Sequence, residues 1–249
     1  MEFHSYIRAV GTGPKSNREL TKVETIDAIE SILNQSVYSE QIAAFLLGWR
    51  VRLETVEELK TTLEVCNKYI KRVKIPNSIE LGYPFDGKAD NPYLLPLISK
   101  YLKKFDLNLV VSGDEIQPAK KGLTIKQLYE NIEFDDNIFY FDRADYFKEL
   151  SNLTKIRNIL GLRTAFNTVE KLLNPGTSDY AVNAAFHKPY VSKYNQIFGN
   201  NYKNLIIVKG NEGTPEIFSK CKYWQTIDGK ITEYIIDPEY FGINYKKSM

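Results

Sequence analysis

Apolar residues recur at helical spacing through the first part of the chain. The run Thr21–Glu24 has the pattern of a capping box, and the apolar positions after it predict an amphipathic helix over residues 22–34. Ser39 is placed to cap a second helix, and the run Thr55–Glu58 is a second capping box that opens a third helix. The pattern therefore predicts that residues 1–74 are all helical.

After residue 74 the pattern changes to short apolar runs that alternate with helices. Strands are predicted at residues 107–111, 137–141 and 204–209, and helices at 94–104, from Thr124 onwards and at 146–175. The run at 204–209 is apolar almost throughout, which is typical of a buried parallel strand. We expect a small helical domain from residues 1–74 and 146–176, and a larger α/β domain from 75–145 and 177–249.

Composition adds few constraints. The chain is 43% hydrophobic and 26% charged, as in ordinary soluble globular proteins. No run approaches the roughly 18 apolar residues of a membrane span, and no leader pattern begins the chain, so we expect a cytoplasmic protein without membrane contact. Cys66 and Cys221 share no motif and are expected to be free thiols. With only His4 and His187, a histidine-based metal site or triad is disfavoured.

Charge is segregated along the chain although the net charge is only +2. Lysines cluster in residues 60–74 and again in 100–126, whereas residues 130–145 are acidic. This pattern is compatible with a basic face and equally with an ordinary solvated surface. The loop at residues 11–18 contains Lys15 and Arg18, which could touch phosphates or simply form a mobile basic loop.

The loop Leu81–Asn91, LGYPFDGKADN, lies between a strand and a helix, where a phosphate-binding glycine loop would be expected. Such a loop needs adjacent glycines, so that backbone N–H groups can close on the anion. Only Gly82 and Gly87 could serve here, and Pro84 has no N–H to donate.

Four segments resemble, in order, the anthranilate phosphoribosyltransferase and nucleoside phosphorylase superfamily (glycosyltransferase family 3). They are Asn17–Thr21 with Ser39–Leu47, Ile156–Thr164 with Phe166-Asn167 and Leu172–Pro175, Lys209–Gly213, and Asp228-Gly229 with Asp237–Gly242. The resemblance implies a small helical domain packed on a larger α/β domain with a mainly parallel central sheet. It also implies a hinge cleft between the domains for the substrate, and a homodimer formed through the helical domain. The family usually continues beyond the last segment, which leaves the closing of the α/β domain open.

Several functional positions of the family differ in this chain. Its GTGGD loop for pyrophosphate is replaced by LGYPFDGKADN, and its Asp-Glu pair for Mg²⁺ aligns with Pro215-Glu216, which leaves Glu216 as a weak metal candidate. The arginine that contacts anthranilate in the family is matched by Arg157, and a helix-surface ion pair is an equally good interpretation of this residue. A histidine expected ten residues earlier is Phe147.

A closer resemblance is to the anthranilate phosphoribosyltransferase-like paralogues, on Tyr83, Asp86-Gly87, Asn91 and the Leu94–Leu97 run. Members of that group resemble the enzymes in fold but bind nucleic acid as dimers with a basic groove. The resemblance therefore implies a dimeric protein that binds nucleic acid, expected to be single-stranded DNA or RNA, and needs no cofactor. The candidate phosphate contacts are Lys15, Arg18, Lys88, Lys120 and Lys121.

The alternative is an active glycosyl or phosphoribosyl transferase with an atypical phosphate loop. Asp86, Lys88 and Asp90 would then handle phosphate and Mg²⁺ through their side chains. The candidate residues of the substrate cleft are Gly82, Tyr83, Asp86, Gly87, Asn91 and Arg157.

Three further side chains have competing interpretations. Trp49 is expected in the core or at a dimer interface. Trp224 is a weak candidate for stacking on a base. We expect His187 to be a packing or loop residue rather than a general base.

Overall fold

The computed structural model describes residues 2–244 as helices packed against a seven-stranded sheet. The helices are α1 His4–Gly11, α2 Lys22–Leu33, α3 Ser39–Arg52, α4 Val56–Cys66, α5 Leu95–Leu102, α6 Ile125–Asn131, α7 Arg143–Tyr146, α8 Lys148–Ser151, α9 Thr154–Leu160, α10 Phe166–Val169 and α11 Pro189–Phe198. The strands are β1 Ser78–Gly82, β2 Asn108–Gly113, β3 Ile138–Asp142, β4 Tyr180–Ala184, β5 Asn204–Val208, β6 Cys221–Ile227 and β7 Lys230–Ile236. Short 3₁₀ turns include Glu170–Leu172 and Asn211–Gly213.

Local side chains define where the first helices begin. The Thr21 hydroxyl accepts a hydrogen bond from the Glu24 N–H at 3.2 Å, and the Glu24 carboxylate accepts one from the Thr21 N–H at 2.9 Å, so the predicted capping box is confirmed. The predicted cap of α3 is wrong by one residue. Ser39 is the first helical residue, and the N–H of the capping residue Tyr38 donates to Gln41 Oε1.

Glu58 joins α3 and α4 inside the helical layer. As the acid of the predicted box at Thr55, it accepts the Thr55 N–H at 2.8 Å. It also accepts the Trp49 Nε1–H at 3.0 Å, the Leu20 N–H at 2.9 Å and the Arg52 guanidinium. Trp49 is therefore a core residue whose polar edge is satisfied, and it is fully buried within this chain.

The strands lie in the order β3-β2-β1-β4-β5-β6-β7, with β1 to β5 parallel and the last two antiparallel. The mainly parallel sheet is confirmed. The strand at 204–209 is parallel to β4 but antiparallel to β6, so it is not wholly a parallel strand as predicted. The hydrophobic pattern did not predict β4, β6, β7 or α11. Nearly all of β7 is exposed, and its apolar residues do not alternate with polar ones as they would in a half-buried strand.

The two faces of the sheet have different cores. Helices α5 and α6 cover one face over Leu81, Leu109 and Val111. The other face shares one continuous core with α11 and the N-terminal helices. Trp224 belongs to this core and its Nε1–H donates to Glu233, so the suggestion that it stacks on a base is wrong.

The chain returns to the helical layer through several short helices. Helix α9 packs against α3, and α10 packs against α4. The helical layer with an α/β layer agrees with the expected architecture, while the domain boundaries stay a prediction.

Cys66 and Cys221 are free, as expected. None of the helices within residues 2–244 is long and apolar enough to cross a membrane.

The topology places a crevice at one edge of the sheet. From β1 the chain moves outward to β2 and β3, and then returns to β4 and β5 on the other side of β1. At such a switch point the connections leave neighbouring strands in opposite directions, which opens a crevice at the carboxyl ends of the strands. The loops after β1 and β4 flank it, with the helical layer above.

Candidate functional site

A cavity of about 700 Å³ occupies this crevice. Its walls come from the loop after β1, the segments that follow β4 and β5, Lys120, and helical-layer residues in α3, α10 and the 3₁₀ turn at Glu170–Leu172. The volume lies within the range of pockets that hold small molecules. The charged residues of the wall are Arg50, Asp86, Asp90, Lys120, Arg163, Lys171 and Glu212.

Lys171 is an almost fully buried lysine in the cavity wall, with 7% of its surface exposed. Its Nζ donates to the carbonyl oxygens of Ala184 and Gly213, both at 3.0 Å, and lies 5.5 Å from the centre of the Tyr194 ring. Burial lowers the pKa of Lys171 to about 7. An ammonium has three N–H donors, so the two carbonyls leave one for a ligand.

Lys120 faces the same cavity. Its Nζ donates to the backbone oxygen of Glu212, and burial lowers its pKa. Within residues 2–244, neither Lys120 nor Lys171 forms an ion pair with a carboxylate. Arg163 differs, because its Nε donates to Asp86 at 3.1 Å and its Nη2 bonds the same oxygen. The cavity wall thus contains one buried and one half-buried lysine, and within residues 2–244 neither has a carboxylate in direct contact to balance its charge when it is protonated.

The loop after β1 is held by a buried ion pair. Lys88 pairs with Glu216, and its Nζ also donates to the Pro92 carbonyl at 2.6 Å. Glu216 further accepts the Tyr83 hydroxyl at 3.1 Å and the Leu94 N–H at 2.5 Å. The expectation that Lys88 faces an external anion is wrong, because its side chain is enclosed.

Most of the glycine and tyrosine candidates lie behind the cavity wall. A Cβ at Gly82 would lie 2.8 Å from Asn183 Oδ1, and one at Gly87, where φ is +76°, would lie 2.3 Å from the Gly122 oxygen. Both positions require glycine because another chain segment packs against the backbone. Of the predicted cleft residues, Asp86 and Asn91 do line the cavity.

Arg157 is fully buried and does not line the cavity, which corrects both interpretations made from the sequence. Its Nη1 and Nη2 donate to Glu170 at 2.7 and 2.9 Å. Glu170 also pairs with Arg143, which in turn pairs with Asp114 after β2. Burial alone would raise the pKa of Glu170, but the two arginines outweigh burial and hold this pKa below its usual value. These four residues form a buried charge chain between the sheet and α9.

The other predicted phosphate contacts lie outside the cavity wall. Arg18 makes a two-pronged pair with Glu24, at 2.8 and 2.6 Å, and so supports the cap of α2. Lys15 and Lys121 are exposed, and neither has an ion-pair partner within residues 2–244. Their role as phosphate contacts stays a prediction.

The residues present do not fit the magnesium site that the family resemblance implies. Mg²⁺ needs several oxygen ligands in near-octahedral array. Glu216 is committed to Lys88 and Tyr83, and Asp86 is paired with Arg163. Within residues 2–244, no three His, Cys, Asp or Glu side chains lie together so that they could hold a metal ion.

Sequence reasoning missed the cavity residues of the helical layer. Arg163 and Asn167 lie in the segment that resembles the family, and that signal could have identified them. Lys171 carried no such signal, because only the fold places it near β4. His187, expected in a packing or loop position, lies exposed at the cavity beside Phe186.

Comparison with known proteins gives the family. Residues 4–66 match the glycosyl transferase family helical bundle domain, and residues 116–249 match its a/b domain. An uncharacterised protein of Aquifex aeolicus is 30% identical, over 93% of this chain and 75% of its own length. An anthranilate phosphoribosyltransferase of Neisseria meningitidis is 28% identical, over 94% of this chain and 72% of its own length.

Solved structures support the same fold. The anthranilate phosphoribosyltransferase of Thermus thermophilus matches with a TM-score of 0.72 at 13% identity, over 98% of this chain and 75% of that one. The anthranilate phosphoribosyltransferase of Saccharomyces cerevisiae in complex with PRPP and Mg matches with a TM-score of 0.70 at 14% identity. The match covers 98% of this chain and 75% of that one. With both domain models matched in order, the chain belongs to glycosyl transferase family 3.

Proposed function

We propose that the cavity binds a phosphorylated small molecule through side-chain cations. The observation that carries this proposal is the pair Lys120 and Lys171. Both line one cavity, burial lowers the pKa of both, and neither has a carboxylate partner within residues 2–244. A buried cation without a counter-charge is costly. A bound phosphate supplies that charge and raises both pKa values.

The remaining wall suits a sugar or nucleotide portion of the ligand. Asn167, Thr164 and Thr168 offer side-chain hydrogen-bond partners for hydroxyl groups, and Tyr190 and Tyr194 offer aromatic surface. Relatives of this chain are named anthranilate phosphoribosyltransferases, and one similar structure holds PRPP. Ribose phosphates that carry a pyrophosphate group are therefore the first ligands to test.

Transfer of the glycosyl group is the activity that fits such a ligand. When the bond between the anomeric carbon and the pyrophosphate oxygen breaks, negative charge collects on the departing pyrophosphate. In this proposal Lys120 and Lys171 stabilise that charge, and the acceptor that attacks the anomeric carbon gives up its proton to water. Because the residues do not fit Mg²⁺, we expect binding to persist in a chelator.

The test is isothermal titration with PRPP and pyrophosphate, with and without a chelator. Lys120→Met should weaken binding by about tenfold or more, because a hydrogen bond to a charged group contributes roughly 1.5–3 kcal/mol. Lys121→Met is the matched control, since it removes the same charge from the next residue, outside the cavity wall. Equal losses in both variants, or no binding by the parent protein at millimolar ligand, would overturn the proposal.

Nucleic-acid binding is the second candidate, supported by a different observation. Lys15 and Lys121 are exposed without ion-pair partners within residues 2–244, and Phe186, 63% exposed at the cavity, offers a surface for base stacking. Affinity for single-stranded DNA should fall steeply with salt, and Lys121→Met should reduce the salt slope by about 1. Absence of a complex at low salt would eliminate this candidate.

A homodimer through the helical domain also stays a proposal. Val51 and Leu53, at the end of α3, are 73% and 63% exposed, which supports an apolar contact there. Light scattering after size-exclusion chromatography should show a dimer that Val51→Asp converts to a monomer. A monomeric parent protein would contradict it.

A further inference from the structure

The carboxylate of Glu212 lies in a pocket of backbone N–H groups. Its Oε1 accepts from the N–H groups of Ala89 at 2.7 Å and Asp90 at 3.0 Å. Its Oε2 accepts from the N–H of Asn91 at 3.1 Å and from Asn91 Nδ2 at 3.0 Å. We call these four donors the amide pocket.

The amide pocket has the properties of an oxyanion site. Successive N–H groups that converge on one point bind phosphate or carboxylate groups in many proteins. Here the carboxylate of Glu212 occupies the site and is ionised at neutral pH. Burial alone would raise the pKa of Glu212, but the hydrogen bonds from Ala89, Asn91 and Asp90 outweigh burial and lower it. Thus the chain's own carboxylate saturates the donors, and no donor of the pocket is left for another anion.

The backbone at Glu212 is held in an unfavourable conformation to make this contact. Its φ is 56° and its ψ 12°, which is the left-handed region that a residue with a Cβ rarely adopts. Gly213, which follows, also has a positive φ of 74°. Glycine adopts a positive φ freely, so the unfavourable conformation in the turn Asn211–Gly213 is that of Glu212, whose carboxylate reaches across the crevice to the loop after β1.

Asn91, Glu212 and Lys120 all line the same cavity, so the amide pocket opens on the space proposed for the ligand. We infer that Glu212 is a tethered competitor, whose carboxylate occupies an anion subsite that a phosphate group of the ligand takes over on binding. This inference rests on the proposed function. It predicts that Glu212 weakens phosphate binding although it lies in the binding cavity.

A purely structural role for Glu212 predicts the opposite effect. If the carboxylate serves only to hold the loop, its removal releases residues 89–91 and loosens any ligand that the loop touches. If it is a competitor, its removal leaves the amide pocket vacant and ligand binding becomes tighter. The sign of the affinity change separates the two roles.

The experiment is titration of pyrophosphate into the parent protein and into Glu212→Ala, Glu212→Gln and Asp90→Asn. Asp90 is the matched control, because its exposed carboxylate lines the same cavity without a hydrogen bond or ion pair within residues 2–244. Glu212→Ala should lower the dissociation constant by about tenfold, equivalent to about 1.4 kcal/mol. Asp90→Asn should change it by no more than about threefold, because an exposed charge is screened.

Amide hydrogen exchange gives a second readout that does not depend on affinity. In the parent protein the amides of residues 89–91 should be protected both with and without pyrophosphate. In Glu212→Ala they should exchange fast until pyrophosphate is added, which also shows whether the variant is folded elsewhere.

The outcomes separate this inference from the proposed function. Weaker binding by both Glu212 variants, equal gains in Glu212→Ala and Asp90→Asn, or no pyrophosphate-dependent protection would overturn the tethered competitor. Tighter binding by Glu212→Ala than by the parent protein and by Asp90→Asn would support it. Lys120 also bonds the backbone oxygen of Glu212, so a loss of binding in Lys120→Met counts for the proposed function only where the amides of residues 89–91 keep the protection that they have in the parent protein.

Discussion

Replacement of Lys171 by methionine should make the protein more stable near neutral pH and change how its stability depends on pH. Burial lowers the pKa of Lys171 from 10.5 to about 7. Between these two values the unfolded chain binds a proton that the folded protein does not. The free energy of unfolding of the parent protein therefore rises as the pH rises from about 7 to 10.5.

The magnitude follows from the same two pKa values. Each unit of pKa difference corresponds to 1.36 kcal/mol, so the lysine costs up to about 5 kcal/mol below pH 7, an upper bound. Between pH 6 and pH 9 this cost falls by about 2.7 kcal/mol, from the proton linkage of one site. Lys171→Met lacks this contribution. The difference in the free energy of unfolding between the variant and the parent protein should therefore shrink by about 2.7 kcal/mol from pH 6 to pH 9.

The assay is urea unfolding at pH 6, 7, 8 and 9, with Lys121→Met as the control for loss of an exposed lysine. The difference in the free energy of unfolding between Lys121→Met and the parent protein should be the same at all four pH values. If Lys171→Met also runs parallel to the parent, Lys171 is charged at all four pH values. The argument from burial would then be refuted, and with it the support that Lys171 gives to a phosphate site.

Three further predictions concern the scaffold of the site. Glu170→Gln leaves the buried Arg157 without a carboxylate and Arg143 with Asp114 alone, and it should lower the free energy of unfolding by about 3–5 kcal/mol. The same change at the exposed Glu64 should cost less than about 1 kcal/mol, and urea unfolding measures both. Gly87→Ala should be clearly more destabilising than Gly229→Ala in thermal unfolding, because both have positive φ but only the first meets backbone atoms; equal effects would mean that φ alone explains the cost. Thr55→Ala removes the cap of α4 and should cost about 1 kcal/mol, and an unchanged urea midpoint would contradict the capping role.

The fold was predictable from the sequence wherever local chemistry decides it. The boxes at Thr21 and Thr55 define helix starts through contacts only three residues apart, so their patterns were sufficient. Strand β7, KITEYII, was not predicted from its hydrophobic pattern, because its apolar side chains are mostly exposed and do not alternate with polar ones as in a half-buried strand. The family resemblance supplied the arrangement of the helical layer on the sheet.

The site was less predictable, because its geometry comes from long-range contacts. Asp86 and Asn91 were identified through the loop that contains them, but the burial of Lys88 depends on Glu216, 128 residues away. From the sequence, Arg157 was interpreted as a ligand contact or as part of a surface ion pair. In the structure it is buried and pairs with Glu170, which also pairs with Arg143. A charged residue in a sequence shows neither its partner nor its depth, and here both decide the role.

The buried charge chain Asp114–Arg143–Glu170–Arg157 has a consequence for motion. It joins the end of β2 to α9 through two carboxylates and two guanidinium groups, and all four are buried. To swing the helical layer away from the sheet at this point, the protein would have to separate opposite charges in a dry interior. Rigid-body opening is therefore costly on that side of the crevice, and we expect the cavity to change little in width there when a ligand binds. Adaptation to different ligands is left to the loops around Asn91 and Glu212.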